Sequence, residues 1–253
     1  LEDDAPHLTA TERDRLKELY PKNSFYYYSK ILGCRGFVEG AAYASLMERH
    51  IHLKEFDDII LDNLQEIMLC LDIGSNRNID DASKASTVAT LLGFSRGYQR
   101  VVVLECWLIP AISHDVIINE CEKKMEWWWV NFMYKFKKVV IDSAESILIN
   151  TWREKNKFPT ITIKGAIKHT PNDINLVSRC ELKQQLLVQE RLLWSDRALN
   201  SYNAHTRILL DEDGSELDLG VQDNDIGDSL TYGLTENWNY LIKQERRALR
   251  WQV

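Results

Sequence analysis

Ile67-Met68-Leu69-Cys70-Leu71-Asp72-Ile73-Gly74-Ser75 is an apolar run that halts on an acid and a glycine. An unbroken apolar stretch of this length reads as a strand buried on both faces, and the carboxylate that ends it stands at the rim of a sheet. A second stretch repeats the form: Val139-Val140-Ile141-Asp142-Ser143-Ala144-Glu145. A further pair of acids, Asp225 and Asp228, sits in Asp225-Ile226-Gly227-Asp228-Ser229-Leu230, in or beside the first turn of a predicted C-terminal helix. Carboxylates so far apart in sequence can meet only through the fold. Where they converge they make a hard, all-oxygen site suited to Mg²⁺ or Mn²⁺, and sites of this kind often hold two ions for phosphodiester chemistry. That pattern points to a nuclease.

Composition sets ordinary bounds. The chain has 253 residues, 45% hydrophobic and 27% charged, enough to bury a full core as one large domain with a small appendage. Five cysteines, Cys34, Cys70, Cys106, Cys121 and Cys180, are odd in number and lack any C-x-x-C spacing. A disulfide framework or thiolate zinc site is therefore not expected, and a reducing cytoplasm fits. No apolar run approaches the roughly 18 residues of a membrane span. The chain opens Leu1-Glu2-Asp3-Asp4 with neither a basic segment nor Met, as a piece of a longer polypeptide would. A formal charge of −7 argues at face value against DNA binding. Part of that acidity is local, in Leu210-Asp211-Glu212-Asp213 and Asp223 to Asp228, where bound metal would offset it.

The remaining pattern alternates helix and strand. Thr9-Ala10-Thr11-Glu12 reads as a capping box opening a helix that Pro21 stops, and residues 24–31 continue an aromatic-rich helical lead-in. Gly33, Gly36 and Gly40 punctuate it, and no G-x-x-x-x-G-K-[ST] phosphate loop occurs. After the strand ending at Asp72 come two β-type runs, Ala85 to Phe94 and Arg100 to Ile109, joined as a hairpin by Ser95-Arg96-Gly97-Tyr98. A long helix is predicted from Ser113 to Phe136, a strand from Lys138 to Ile141 and a helix from Ser143 to Lys155. A strand over Thr160 to Ile163 and helices over Asp173 to Gln189 and Asp196 to Leu210 complete the expectation. The result is an α/β chain with a mixed central sheet flanked by helices on both faces.

In this order the motifs resemble a known family. Strand-Asp72-Ile-Gly, hairpin, long helix, Val-Val-Ile-Asp142-Ser-Ala-Glu, helix, Ile161-Thr162-Ile163-Lys164-Gly165-Ala166-Ile167-Lys168 and Asp225-x-x-Asp228-Ser-Leu-Thr-Tyr232 resemble the C-terminal nuclease half of the large terminase subunit of tailed bacteriophages. The lead-in, with Arg15 to Tyr20 and Gly33 to Tyr43, is similar to the junction after that family's packaging ATPase. The resemblance implies an RNase H-like fold over residues 63–253, preceded by a lead-in over 1–62 that follows an absent, covalently linked ATPase domain. It implies a nuclease that cuts concatemeric double-stranded DNA in the bacterial host's cytoplasm during virus assembly, with the terminase small subunit and the portal protein as partners.

By that likeness Asp72, Asp142 and Asp228 match the family's metal-binding acids, and Asp225 stands where many members carry His. Asp72, at the rigid end of a central strand, is the candidate to bridge two divalent ions, with Asp142 and Asp228 holding one each. Lys164 and Lys168 are candidates to contact phosphate oxygens.

Plainer readings compete. A lone Asp after a strand most often caps a helix or sits in a solvated turn, and Asp142 alone would read that way. The set of acids outweighs it. Trp127-Trp128-Trp129 could stack on bases, but consecutive helical residues face different ways, so core packing plus an interdomain contact fits better. His50, His52, His114, His169 and His205 show no metal-type pairing with acids. Asp72-Ile-Gly-Ser-Asn also resembles the first phosphate loop of actin-like ATPases and sugar kinases, yet a second such loop is missing. The non-enzyme alternative is a catalytically inert docking module of a DNA-packaging motor.

Overall fold

The computed structural model describes residues 41–43, 46, 52–59, 63–74, 86–110, 113–134, 136–167, 176–211, 216–217 and 222–242. The expected helices before Tyr20 and over 24–31, the glycines from Gly33 to Gly40, the polar turn after Gly74, and Lys168 lie outside them.

Among the described residues the strands are β1 (Leu53–Lys54), β2 (Leu64–Asp72), β3 (Ser86–Ser95), β4 (Val101–Pro110), β5 (Phe136–Ile141), β6 (Thr162–Gly165) and β7 (Leu192–Ser195). They form one seven-stranded sheet in the order β1-β7-β4-β3-β2-β5-β6. β2, β3 and β4 are antiparallel neighbours, while β5 and β6 extend the β2 edge in parallel and β7 and β1 extend the β4 edge in parallel. The sheet is thus mixed, as the alternating sequence pattern predicts. Leu53 and Lys54, on the lead-in side of residue 62, belong to this same sheet and pair with Trp194 and Ser195.

The helices are α1 (His114–Phe132), α2 (Ser146–Lys155), α3 (Leu176–Val188), α4 (Leu199–His205) and α5 (Gln222–Glu236). Side chains alternate across a strand, so β2 splits between two cores. Ile67, Leu69 and Leu71 pack with Ile117, Cys121, Met125 and Trp128 of α1 and Leu148 and Trp152 of α2. Met68 and Cys70 face the other way, toward Leu182 and Leu186 of α3, Tyr202 of α4 and Ile226, Leu230 and Leu234 of α5. By the same alternation Asp72 lies on the α5 side. Val140 shares that side and Ile141 the opposite one, which puts Asp142 on the α5 side too.

Several boundaries differ from the sequence reading. α1 stops at Phe132, because Met133 turns left-handed (φ 57°) and closes the helix with its N–H on the Trp129 carbonyl at 2.8 Å. Phe136 is not helical; it starts β5, where its ring is buried. The helix after Asp142 begins at Ser146. Asp142 does not cap it from the N-cap position: its Oδ1 accepts the Ala144 N–H at 2.9 Å, a turn that lifts the chain off the strand before the helix starts.

The predicted helix over Asp196 to Leu210 shrinks to a 3₁₀ turn at Asp196–Ala198 and α4. Ahead of it, Leu192-Leu193-Trp194-Ser195 forms β7, a strand the sequence reading missed. Four residues are too few to display a period, and their extended form comes from pairing between β1 and β4. Of the tryptophan triplet, Trp128 is fully buried while Trp127 and Trp129 are 42% and 40% exposed. No helix among the described residues is long and apolar enough to cross a membrane.

Candidate functional site

Register brings the first two acids together. β2 and β5 run parallel with Leu71 opposite Ile141, and the Asp142 N–H bonds to the Leu71 carbonyl at 3.1 Å. Asp72 and Asp142 therefore leave adjacent strands side by side. α5 lies across their face of the sheet and carries Asp225, Asp228, Tyr232 and Glu236 at spacings of three, four and four, which is one face of a helix.

Tyr232 closes the arrangement. Its hydroxyl donates to Asp72 Oδ1 at 2.8 Å and lies 3.3 Å from Asp142 Oδ2. α5 can come this close because of Gly233: a Cβ there would meet Leu92 Cδ1 at 2.2 Å and Cys70 Sγ at 2.8 Å. Ser229 pins the preceding turn to the sheet through a 2.6 Å hydroxyl contact with Thr90 of β3.

The electrostatics mark these acids as one cluster. Asp72 is 6% exposed, and its pKa is raised from 3.8 to about 7. Burial is the main cause, followed by the charge of Asp228; Asp225 and Asp142 push the same way, while the Tyr232 hydrogen bond opposes them. The phenol of Tyr232 is driven far above its ordinary value by burial and by the charges of Asp72, Asp228 and Asp142.

Among the described residues, no group of three His, Cys, Asp or Glu side chains stands ready to ligate a metal ion. Between Asp72 and Asp142 the Tyr232 hydroxyl takes the intervening position. The donor chemistry nevertheless fits a divalent cation. Crowded, half-buried carboxylates with no histidine or thiolate among them are hard ligands whose mutual repulsion a cation relieves.

The lysine candidate that the structure describes is already engaged. Lys164 on β6 bonds to Glu236 at 3.1 and 2.9 Å, and Lys138 on β5 reaches both Glu236 at 3.3 Å and Glu66 at 3.2 Å. Lys164 thus meets α5 at Glu236, one helical turn beyond Tyr232.

A second polar group abuts the first. Lys183 of α3 is fully buried, with Nζ 2.7 Å from Glu216 Oε1 and 3.0 Å from the Gly227 carbonyl. Tyr43 also donates a short hydrogen bond to Glu216. Burial draws the Lys183 ammonium down, and burial followed by the charge of Asp228 draws the Glu216 carboxyl up. His52 and His205 are buried with Nδ1 on the Leu192 and Ser201 carbonyls.

The sequence reading assigned no role to Tyr232, Glu236, Lys183 or Glu216. The spacing of Tyr232 and Glu236 from Asp228, in steps of four along a predicted helix, was a usable signal. Lys183 and Glu216 carried none, since only tertiary packing joins them.

No family model and no curated protein matches the sequence. In three dimensions the chain is similar to the large terminase of a thermophilic bacteriophage, with a TM-score of 0.56 and 17% identity over 91% of this chain and 53% of that one. The same terminase in complex with ADP aligns with a TM-score of 0.56 and 17% identity, over 92% and 53%. The chain spans about half the length of the large terminases it matches. The nuclease domain of g2p, the large terminase of bacteriophage SPP1, with bound Mn, aligns at a TM-score of 0.48 and 15% identity, over 73% of this chain and 95% of that one. The protein has the RNase H-like α/β fold, in an arrangement it shares with large terminase.

Proposed function

We propose that this chain is a metal-dependent endonuclease that cuts concatemeric double-stranded viral DNA during genome packaging. The observation that carries the reading is the meeting of Asp72, Asp142 and Asp228 at one end of the sheet, close enough that their charges help drive Asp72 to about 7. The large-terminase fold supports it.

Asp72, Asp142 and Asp228 are the residues to hold two divalent ions, Mg²⁺ or Mn²⁺, with Asp225 available beside them. Ions bound there would stabilise the charge of the attacked phosphodiester and lower the pKa of the attacking water. Asp72, fixed by its strand and by Tyr232, sets the position of the centre. Lys164, once released from Glu236, and Lys168 are candidates to contact phosphate oxygens. With a net charge of −7, the chain has little general attraction for DNA, so its grip is weak and salt-sensitive. Firm binding falls to other parts of the packaging machine: a linked ATPase domain, the terminase small subunit and the portal protein. The site of action is the bacterial host's cytoplasm.

Plasmid DNA incubated with the protein and Mn²⁺ tests the reading. Nicking and linearisation with little sequence preference, halted by EDTA, is the expected result. Nucleotide binding without cleavage would favour an actin-like phosphate-loop protein, and neither activity would favour an inert docking module. Robust cleavage in EDTA would remove the metal mechanism.

A further inference from the structure

We propose that Tyr232 is a positioning residue of the acidic centre, its hydroxyl fixing the orientation of the Asp72 carboxylate toward a divalent cation. This rests on the metal-dependent reading above. A phenol has one proton to donate, and the two distances assign it: 2.8 Å to Asp72 Oδ1 against 3.3 Å to Asp142 Oδ2. A carboxylate presents about four acceptor sites, so one bond from Tyr232 orients Asp72 and leaves acceptor sites on both oxygens for a cation. The hydroxyl thus aligns a ligand without using up its capacity to coordinate.

The ring has no room to leave. Tyr232 is 3% exposed, and its neighbour Gly233 lies flush against Leu92 and Cys70. The helix beneath it is fastened by the Ser229 contact with Thr90 at 2.6 Å and by Lys183 on the Gly227 carbonyl at 3.0 Å. Asp228 and Tyr232 are one helical turn apart, so the helix that delivers Asp228 delivers, in the same step, the hydroxyl that orients Asp72. Partners that orient a metal's ligands commonly account for about ten- to a hundredfold of its affinity.

The test is Mn²⁺ titration calorimetry on the DNA-free chain, comparing the parent with Tyr232→Phe and Thr231→Val. The second variant removes a neighbouring buried hydroxyl that donates to the Gly227 carbonyl. Tyr232→Phe should bind Mn²⁺ about tenfold or more weakly, and Thr231→Val should bind like the parent. Equal affinity in Tyr232→Phe overturns the proposal. Tighter binding overturns it as well, since the hydroxyl would then compete with the cation. If Thr231→Val weakens binding as much, disturbance of the helix explains the effect and the role of Tyr232 falls.

No binding by the parent protein overturns the metal-dependent reading itself, an outcome distinct from these. Tyrosine Cζ NMR of the parent protein during Mg²⁺ titration needs no variant. One buried tyrosine signal should shift on saturation; unmoved signals from all 10 tyrosines would sink the proposal even if Tyr232→Phe failed to fold.

Discussion

Tyr232 and Asp72, 160 positions apart in the chain, share a 2.8 Å hydrogen bond in the interior of the protein. It joins α5 to the central strand at the point where the strand runs out. Three relationships meet there: parallel β2–β5 register, the helical turn from Asp228 to Tyr232, and the close approach allowed by Gly233. Each can be disturbed separately.

Without metal, the contribution of Asp72 to stability should fall as pH rises from about 4 to about 7, against an opposing rise from buried His205, whose imidazole burial draws down to about 3. Asp72 titrates near 7 in the folded protein and near 3.8 when unfolded, so across that window the folded state holds a proton the unfolded chain has released. Stability from this group is complete below the unfolded value and lost as pH passes the folded one. The shift corresponds to at most about 4 kcal/mol. Melting curves in EDTA of the parent and Asp72→Asn across this range check it: the stability of the parent relative to the variant should decline as pH rises. A difference between parent and Asp72→Asn that does not change through the window would contradict the buried, crowded environment of Asp72.

Saturating Mn²⁺ or Mg²⁺ should raise the melting temperature at pH 7 to 8, because binding to the folded state alone stabilises it. Asp72→Asn without metal should melt no lower than the parent and should lose the metal-induced rise. In cleavage assays Asp72→Asn, Asp142→Asn and Asp228→Asn should each fall by about a hundredfold or more, and Asp225→Asn by less. An Asp225→Asn variant as damaged as the others would make Asp225 a direct ligand.

Gly233→Ala sets two effects against each other. Alanine favours a helix over glycine by about 1 kcal/mol. The added methyl, however, would lie 2.2 Å from Leu92 Cδ1 and 2.8 Å from Cys70 Sγ, both buried, and overpacking of this kind costs about 1 to 3 kcal/mol. Strain should win. We expect a lower melting temperature together with a smaller Mn²⁺-induced rise, because α5 and Tyr232 move outward together; a stabilised variant would show that the helix has room to spare.

Lys183→Met should destabilise the protein by about 1 to 3 kcal/mol, since it leaves the buried Glu216 carboxyl and Gly227 carbonyl without their shared donor. The double variant Lys183→Met/Glu216→Gln should lose less than the sum of the two single changes. Urea melts of the four proteins give the coupling directly. Additive losses would mean that the 2.7 Å contact contributes nothing of its own.

Much of this was legible because strong patterns agree with one another. The apolar runs before Asp72 and Asp142 are strands, and their ends hold the acids that the sequence singled out. The hairpin over residues 86–110 followed from its β-branched runs and its glycine turn. β7 was hidden because four residues in extended form depend on neighbours distant in sequence. The end of α1 was hidden because a left-handed Met133 leaves no compositional mark. Tyr232 stood in a quoted motif, yet what it touches is set by a sheet register and by a glycine's missing side chain. Lys164 could be located on its strand, but its bond to Glu236 could not be seen from either residue alone.

The placement of α5 also bears on when the acidic centre comes into being. A ribosome makes Asp72 and Asp142 early and Asp228 and Tyr232 late, and domains assemble as their segments emerge. Until α5 has been made and has folded back across β2, β3 and β5, the two strand acids have neither a third carboxylate nor the hydroxyl that orients Asp72. A chain whose synthesis has stopped short of α5 therefore lacks the assembled acidic centre, and the docking of that helix completes what the end of β2 began.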